Sequence, residues 1–207
     1  MSVIVPCDFG FRETRNYIHT TDLYDALIGN VAALGLGEAA GEIRLTIRQV
    51  MRSALELHLL EPGGNTPRPP RATVDVFAVV AGGATVRGWY VEVDRPITRR
   101  VPYDESPIHA HTRIEGNTIA IRGKTDATPI EVLTSLAVRL HAAAKPPSLP
   151  LKWLATRLDL ARPLTQDDSA HMTIALQKTL GTSLTRSEIT VSSGVLGHIY
   201  FSLGNPE

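Results

Sequence analysis

The densest run of residues able to do chemistry lies near the start of the chain: Arg12, Glu13, Arg15, Asn16, Tyr17, His19, Thr20, Thr21, Asp22, Tyr24 and Asp25. It combines an imidazole, two carboxylates and a guanidinium, the side chains that move protons and hold anions. The cluster opens an amphipathic helix. Its unpaired amino-terminal amides would polarise a carbonyl oxygen placed there. A purely structural origin accounts for part of the pattern, because carboxylates in a first helical turn complement the helix dipole whatever their function.

Other constellations are weaker. His109 and His111 would share one face of an extended segment, a geometry able to hold a metal, but no carboxylate or cysteine completes the set, so no metal and no cofactor is expected. The stretch from Asp94 to Arg100 is the best basic patch, read chiefly as a solvated linker. Asp75, Glu92 and His198 are expected to face outward, and Trp89 and Trp153 to pack in the core. The single cysteine, Cys7, excludes an intramolecular disulfide and reads as a packed thiol. No phosphate-binding loop, serine elbow or metalloprotease helix is present.

The elements that must position the cluster follow from periodicity. Leu23, Ala26, Leu27, Val31 and Leu34 recur at helical spacing from Thr20 to Leu36, with Gly35 and Gly37 as the stop. From Ile43 to Leu60 apolar residues alternate, which predicts one long strand bent near Val50 to Ser53. A loop is expected over Pro62 to Pro70. A hairpin follows, its strands Ala72 to Val80 and Thr85 to Val93 joined by Ala-Gly-Gly-Ala. The order then recurs: a short strand from Thr118 to Arg122, a helix capped by Thr128 with the stripe Ile130, Leu133, Leu136, Ala137 and Leu140, a proline-rich break from Lys145 to Pro150, and strands over Trp153 to Leu164, His171 to Val191 and Leu196 to Leu203. Aligning Gly88-Trp89-Tyr90 with Gly197-His198-Ile199, each read as a turn into a last strand, implies an internal duplication. The expected units are 1–100 and 101–207.

Composition narrows the classes. The 207 residues are 43% hydrophobic, enough for one large core or two small ones. Basic and acidic residues number 21 each, so no net field draws nucleic acid or a membrane surface. No segment reaches the roughly 18 apolar residues of a membrane span, and the first residues lack a signal-peptide pattern, so a soluble, cytoplasmic protein is expected.

Arg162-Pro163-Leu164, then Asp167-Asp168, then His171 to Gly181 and Glu188-Ile-Thr-Val-Ser-Ser-Gly194-Val-Leu-Gly-His-Ile-Tyr-Phe resemble the carboxy-terminal strands of hotdog-fold thioesterases and dehydratases. The resemblance covers roughly the last third of the chain by motif and the first half by pattern. It implies an α+β tandem, or double, hotdog, in which two helices are wrapped by one continuous curved antiparallel sheet. It implies acyl-CoA or an acyl carrier protein as partner, and thioesterase or dehydratase activity, in secondary metabolism. His19 would then be the base, Asp22 or Asp25 its partner or the carboxylate that activates water, and Arg15 and Tyr24 substrate-binding residues. Asp22 departs from the position of the asparagine in some hotdog thioesterases. Lys124 to Pro129, the counterpart in the second unit, has no histidine, so one site per chain is expected. The alternatives are the condensing activity of paired-hotdog biosynthetic proteins and a noncatalytic protein that holds an acyl ligand or a partner. Pairing of two copies into a homodimer is allowed.

Overall fold

In the computed structural model, which describes residues 2–146, 151–181 and 183–205, the chain divides into two units: Met1–Tyr103 with Asp159–Pro163, and Asp104–Leu158 with Leu164–Glu207. No helix among the described residues is long and apolar enough to cross a membrane.

The first unit contains β1 (Ser2–Cys7), β2 (Phe11–Arg12), α1 (Thr20–Ala33), β3 (Ala39–Ile47), β4 (Ser53–Leu60), β5 (Ala72–Val80), β6 (Thr85–Pro96) and β7 (Arg100–Val101). Its sheet runs in the order β1-β4-β6-β5-β3, and neighbouring strands pair antiparallel. The two-residue strands β2 and β7 pair in parallel. Helix α1 buries Leu23, Tyr24, Leu27 and Val31, while Ile43, Leu45, Leu55, Leu57, Leu59, Val74, Val76 and Tyr90 fill the core from the strands. Each fully buried aliphatic side chain contributes up to about 1.5–3 kcal/mol, so this apolar face, with its period of two, holds the unit together. The helix stops where its glycines predict: Leu34 is the C-cap and Gly35 takes φ +68°. Gly82 and Gly83 have φ of +85° and +81°, as the hairpin requires.

Two readings of this half change. The run from Ile43 to Leu60 is two strands, because β3 pairs only with β5 in this unit whereas β4 lies between β1 and β6. The chain breaks at 48–52, where Glu92 accepts hydrogen bonds from the amides of Arg52 and Ser53. Gly88 is no turn but an interior residue of β6 opposite Leu59 and Val76. A Cβ there would lie 2.0 Å from the His58 carbonyl oxygen, so glycine is required by close backbone approach.

The second unit contains α2 (Ser106–Ala110), β8 (Thr112–Glu115), β9 (Thr118–Ile121), α3 (Pro129–Ala144), β10 (Lys152–Leu160, its last two residues counted with the first unit), a 3-10 turn (Gln166–Ala170), β11 (Thr173–Leu180), β12 (Leu184–Val191) and β13 (Gly194–Gly204). The strand order is β10-β13-β12-β11-β9-β8. Helix α3 begins with a reciprocal cap: the Glu131 amide donates to Thr128 Oγ1 and the Thr128 amide donates to the Glu131 carboxylate. Its buried stripe is the expected one, Ile130, Leu133, Leu136, Ala137 and Leu140. The run from His171 to Val191 is a hairpin, β11 and β12, rather than one strand, and Gly181 turns it at φ +60°. Of the proline-rich break, positions 147–150 lie outside the described residues.

Each unit has a longer helix and an antiparallel sheet, but the strand orders differ. In the second, β11, β12 and β13 follow one another across the sheet, because turns of three and two residues force sequential strands to be neighbours. In the first, the eleven-residue connection 61–71 lets the chain pass over the place of one strand, so β6 fills the gap between β4 and β5. Equivalence of Gly88 with Gly197 therefore does not extend to topology. It holds only in that both are interior strand residues.

Candidate functional site at the amino end of α1

His19 is the N-cap residue of α1, extended at φ −83° and ψ 149°, and its carbonyl accepts the amides of Asp22 and Leu23. Its side chain does not cap the helix. Instead Nδ1 lies 3.0 Å from Thr21 Oγ1, and the ring packs at 5.9 Å from the Tyr103 ring. Only 9% of His19 is exposed. Burial, then the nearby guanidiniums of Arg15 and Arg12, push its pKa down to about 3. The imidazole is therefore neutral at physiological pH, with one N–H donor and one lone pair.

Asp22 is gripped by Arg12, whose Nε and Nη2 donate to the same oxygen, Oδ1, at 3.1 and 2.7 Å. Among the described residues the other oxygen, Oδ2, is buried with no hydrogen-bond partner. The Arg12 and Arg15 guanidiniums stack over Tyr103 at 4.5 and 5.2 Å from its centroid. Arg100 donates to the carbonyls of Glu13 and Arg15 and so pins the loop that carries them. From within the core, the Tyr90 hydroxyl donates to the Leu23 carbonyl at 2.5 Å.

Thus His19, Asp22 and Arg15 share one polar cluster built around Tyr103. Two other candidates point elsewhere. Asp25 is exposed, and Tyr24 is 4% exposed and packed with the buried stripe of α1. Arg12 belonged to the polar run without being singled out. Tyr103 has no signal in its local sequence and reaches the cluster only because β7, just before it, pairs with β2.

The remaining polar groups are mostly structural. The segment holding His109 and His111 is helical rather than extended: His109 lies in α2, with Nε2 3.0 Å from Ser135 Oγ, and His111 is its C-cap. No group of three histidine, cysteine, aspartate or glutamate side chains able to hold a metal occurs among the described residues. His141 is held between the Ala137 carbonyl and Thr185 Oγ1, at 2.6 and 2.7 Å, beside Trp153 and Phe201. The basic stretch is no free linker: β6 runs into it, Arg99 binds Asp8, and Arg100 holds the loop described above. Trp153 is core as expected, but Trp89 is half-buried on the outward face of β6.

No protein-family model matches the sequence, and no curated protein matches it. The structure is similar to an acyl-ACP thioesterase from Bacteroides thetaiotaomicron, at 8% identity over 98% of both chains with a TM-score of 0.46. It is also similar to the dehydratase domain of PpsC from Mycobacterium tuberculosis, solved in complex with C12:1-CoA, at 10% identity over 91% of this chain and 85% of that one, TM-score 0.47. A third similar structure is the bifunctional dehydratase-cyclase domain of ambruticin biosynthesis, at 13% identity over 98% of this chain and 90% of that one, TM-score 0.44.

Proposed function

We propose that this protein processes an acyl thioester carried on coenzyme A or an acyl carrier protein, by hydrolysis or dehydration, at the amino end of α1, and that its two units form a tandem hotdog. The observation that carries the reading is that a buried imidazole, His19, and a buried carboxylate oxygen, Asp22 Oδ2, with no hydrogen-bond partner among the described residues, lie in one cluster around Tyr103 at a helix start. The amides of Thr20 and Thr21 precede the first intrahelical bond, and a thioester carbonyl there would meet the positive end of α1. Because His19 is held at about pKa 3, it is a poor proton acceptor. In hydrolysis Asp22 Oδ2 takes a proton from water as it adds to the thioester carbonyl and returns it to the departing thiolate as the C–S bond breaks; in dehydration it takes the α-carbon proton and returns it to the β-hydroxyl, which leaves as water, while His19 orients the substrate by hydrogen bonding. Arg12 keeps Asp22 in place.

A second reading, a noncatalytic acyl-binding protein, draws support from the low exposure of His19 and the engagement of Asp22 by Arg12. A panel of acyl-CoA and acyl-carrier substrates assayed with the wild type, His19→Ala and Asp22→Asn separates the two. Turnover that falls at least about tenfold in Asp22→Asn supports the site. Full turnover in both variants overturns it, and saturable acyl binding without turnover by the wild type supports the noncatalytic protein.

A further inference from the structure

The outward face of the first unit's sheet, opposite the buried face that meets α1, carries aromatic rings and guanidiniums in register. One cross-strand row holds Arg44, Phe77 and Arg87, and the next holds Thr46, Asp75 and Trp89. They line a groove of about 320 Å³, near the lower limit of about 300 Å³ for ligand pockets. Its charges are unequally satisfied. Arg44 pairs with Glu42 and Asp159, and Asp75 pairs with Arg48 and Arg68 through its two oxygens. Arg87 is exposed and, among the described residues, has no ion-pair partner.

We propose that this groove binds a purine mononucleotide, or the nucleotide end of a larger molecule, with the base stacked on Trp89 and a phosphate on Arg87. Trp89 and Arg87 are two residues apart on one face of β6, which sets them about 6.6 Å apart along the strand. That is the order of separation between a base and its own 5′-phosphate. Half-buried Trp89 lines the groove, and tryptophan is a strong platform for a planar base. Arg87 supplies the one uncompensated charge, a planar donor suited to phosphate. A second copy of this chain fits the face less well, since it would bring another unpaired Arg87 to the same place. The site is on the other face of the sheet from His19 and does not depend on thioester chemistry.

The test is titration of the intact protein with AMP, adenosine, adenosine 3′,5′-bisphosphate and coenzyme A, read by tryptophan fluorescence and by calorimetry. Trp89 and the buried Trp153 are the only indoles, so Trp89→Leu identifies the source of any quench. We expect saturable binding of AMP with quenching, weakened at least about tenfold by Arg87→Gln and by Trp89→Leu, with both variants retaining the wild-type circular dichroism and melting behaviour. Equal affinity for AMP and coenzyme A identifies a free nucleotide as the ligand, whereas tighter binding of coenzyme A or the bisphosphate identifies the nucleotide end of that carrier. Absence of saturable binding up to millimolar nucleotide overturns the proposal. So does affinity unchanged by either variant, or adenosine binding as tightly as AMP.

Discussion

Arg12 spends two nitrogens on one oxygen of Asp22, Oδ1, and among the described residues Oδ2 has no hydrogen-bond partner. A guanidinium usually engages both oxygens of a carboxylate side by side. Here the one-sided grip keeps Asp22 oriented and leaves its second oxygen buried and, among the described residues, without a hydrogen-bond partner. Both side chains are largely buried, at 11% and 17% exposure. Arg12→Met should therefore leave a mostly desolvated carboxylate without its donor and cost about 2 kcal/mol in urea denaturation. Arg12→Lys should recover less than half, since an ammonium cannot donate from two fixed positions. Wild-type stability in Arg12→Met would show that the pair holds nothing.

His19 makes stability depend on pH with a definite sign. Its pKa is about 3 in the folded protein and about 6.5 in the unfolded chain, so below pH 6.5 unfolding takes up a proton. Stability contributed by neutral His19 is complete above about pH 6.5 and falls by about 1.4 kcal/mol per pH unit as the pH drops toward 3. Urea melts from pH 7 to pH 5 should show a steeper loss for the wild type than for His19→Asn, and equal slopes would contradict the buried neutral imidazole. If the enzyme reading holds, the pH profile of kcat/KM should carry no His19 limb near 6.5.

Two glycines give opposite expectations for the same substitution. A Cβ at Gly88 meets the backbone of β4 at 2.0 Å, whereas nothing lies within 4 Å of one at Gly29 in α1. Gly88→Ala should lose about 3 kcal/mol or more by forcing β4 and β6 apart. Gly29→Ala should gain about 0.5–1 kcal/mol, the ordinary helix preference for alanine. Thermal melts of the two variants decide, and a benign Gly88→Ala would refute the close approach.

Cys7 should be inert in the native protein. It is 6% exposed, and burial raises its pKa to about 11, so almost no thiolate exists at pH 8. A disulfide reagent should titrate no thiol without denaturant and one in its presence. Rapid native labelling would show that β1, an edge strand of its sheet, opens readily.

Much of the fold is legible in the residues. Alternation marks the faces of β5 and β6, the stripes of α1 and α3 are those expected, Thr128 and Pro129 announce a cap, and Gly82 and Gly83 announce a turn. The misreadings share one cause. Period two says which face a strand buries, but not where one strand ends and the next begins, so Ile43 to Leu60 and His171 to Val191 each read as one strand although each is two. The helix at His109 was hidden for a related reason: five residues are too few to show a period.

What the sequence determined by itself is therefore local: the helices α1 and α3, the cap of α3, most of the turns, the apolar faces, and a polar cluster at residues 12–25. Only the tertiary structure decided the order of the strands and the state of the groups in that cluster. Strand order depends on loop reach, through which 61–71 lets β6 come between β4 and β5 while the tight turns of the second unit allow no such crossing. The state of His19 depends on burial, on a ring distant in sequence and on how the fold turns two nearby arginines toward it. Tyr103, 84 positions away, closes over it, and two arginines beside it disfavour its charge, as neither burial nor neighbours across 80 residues can be written into a local pattern.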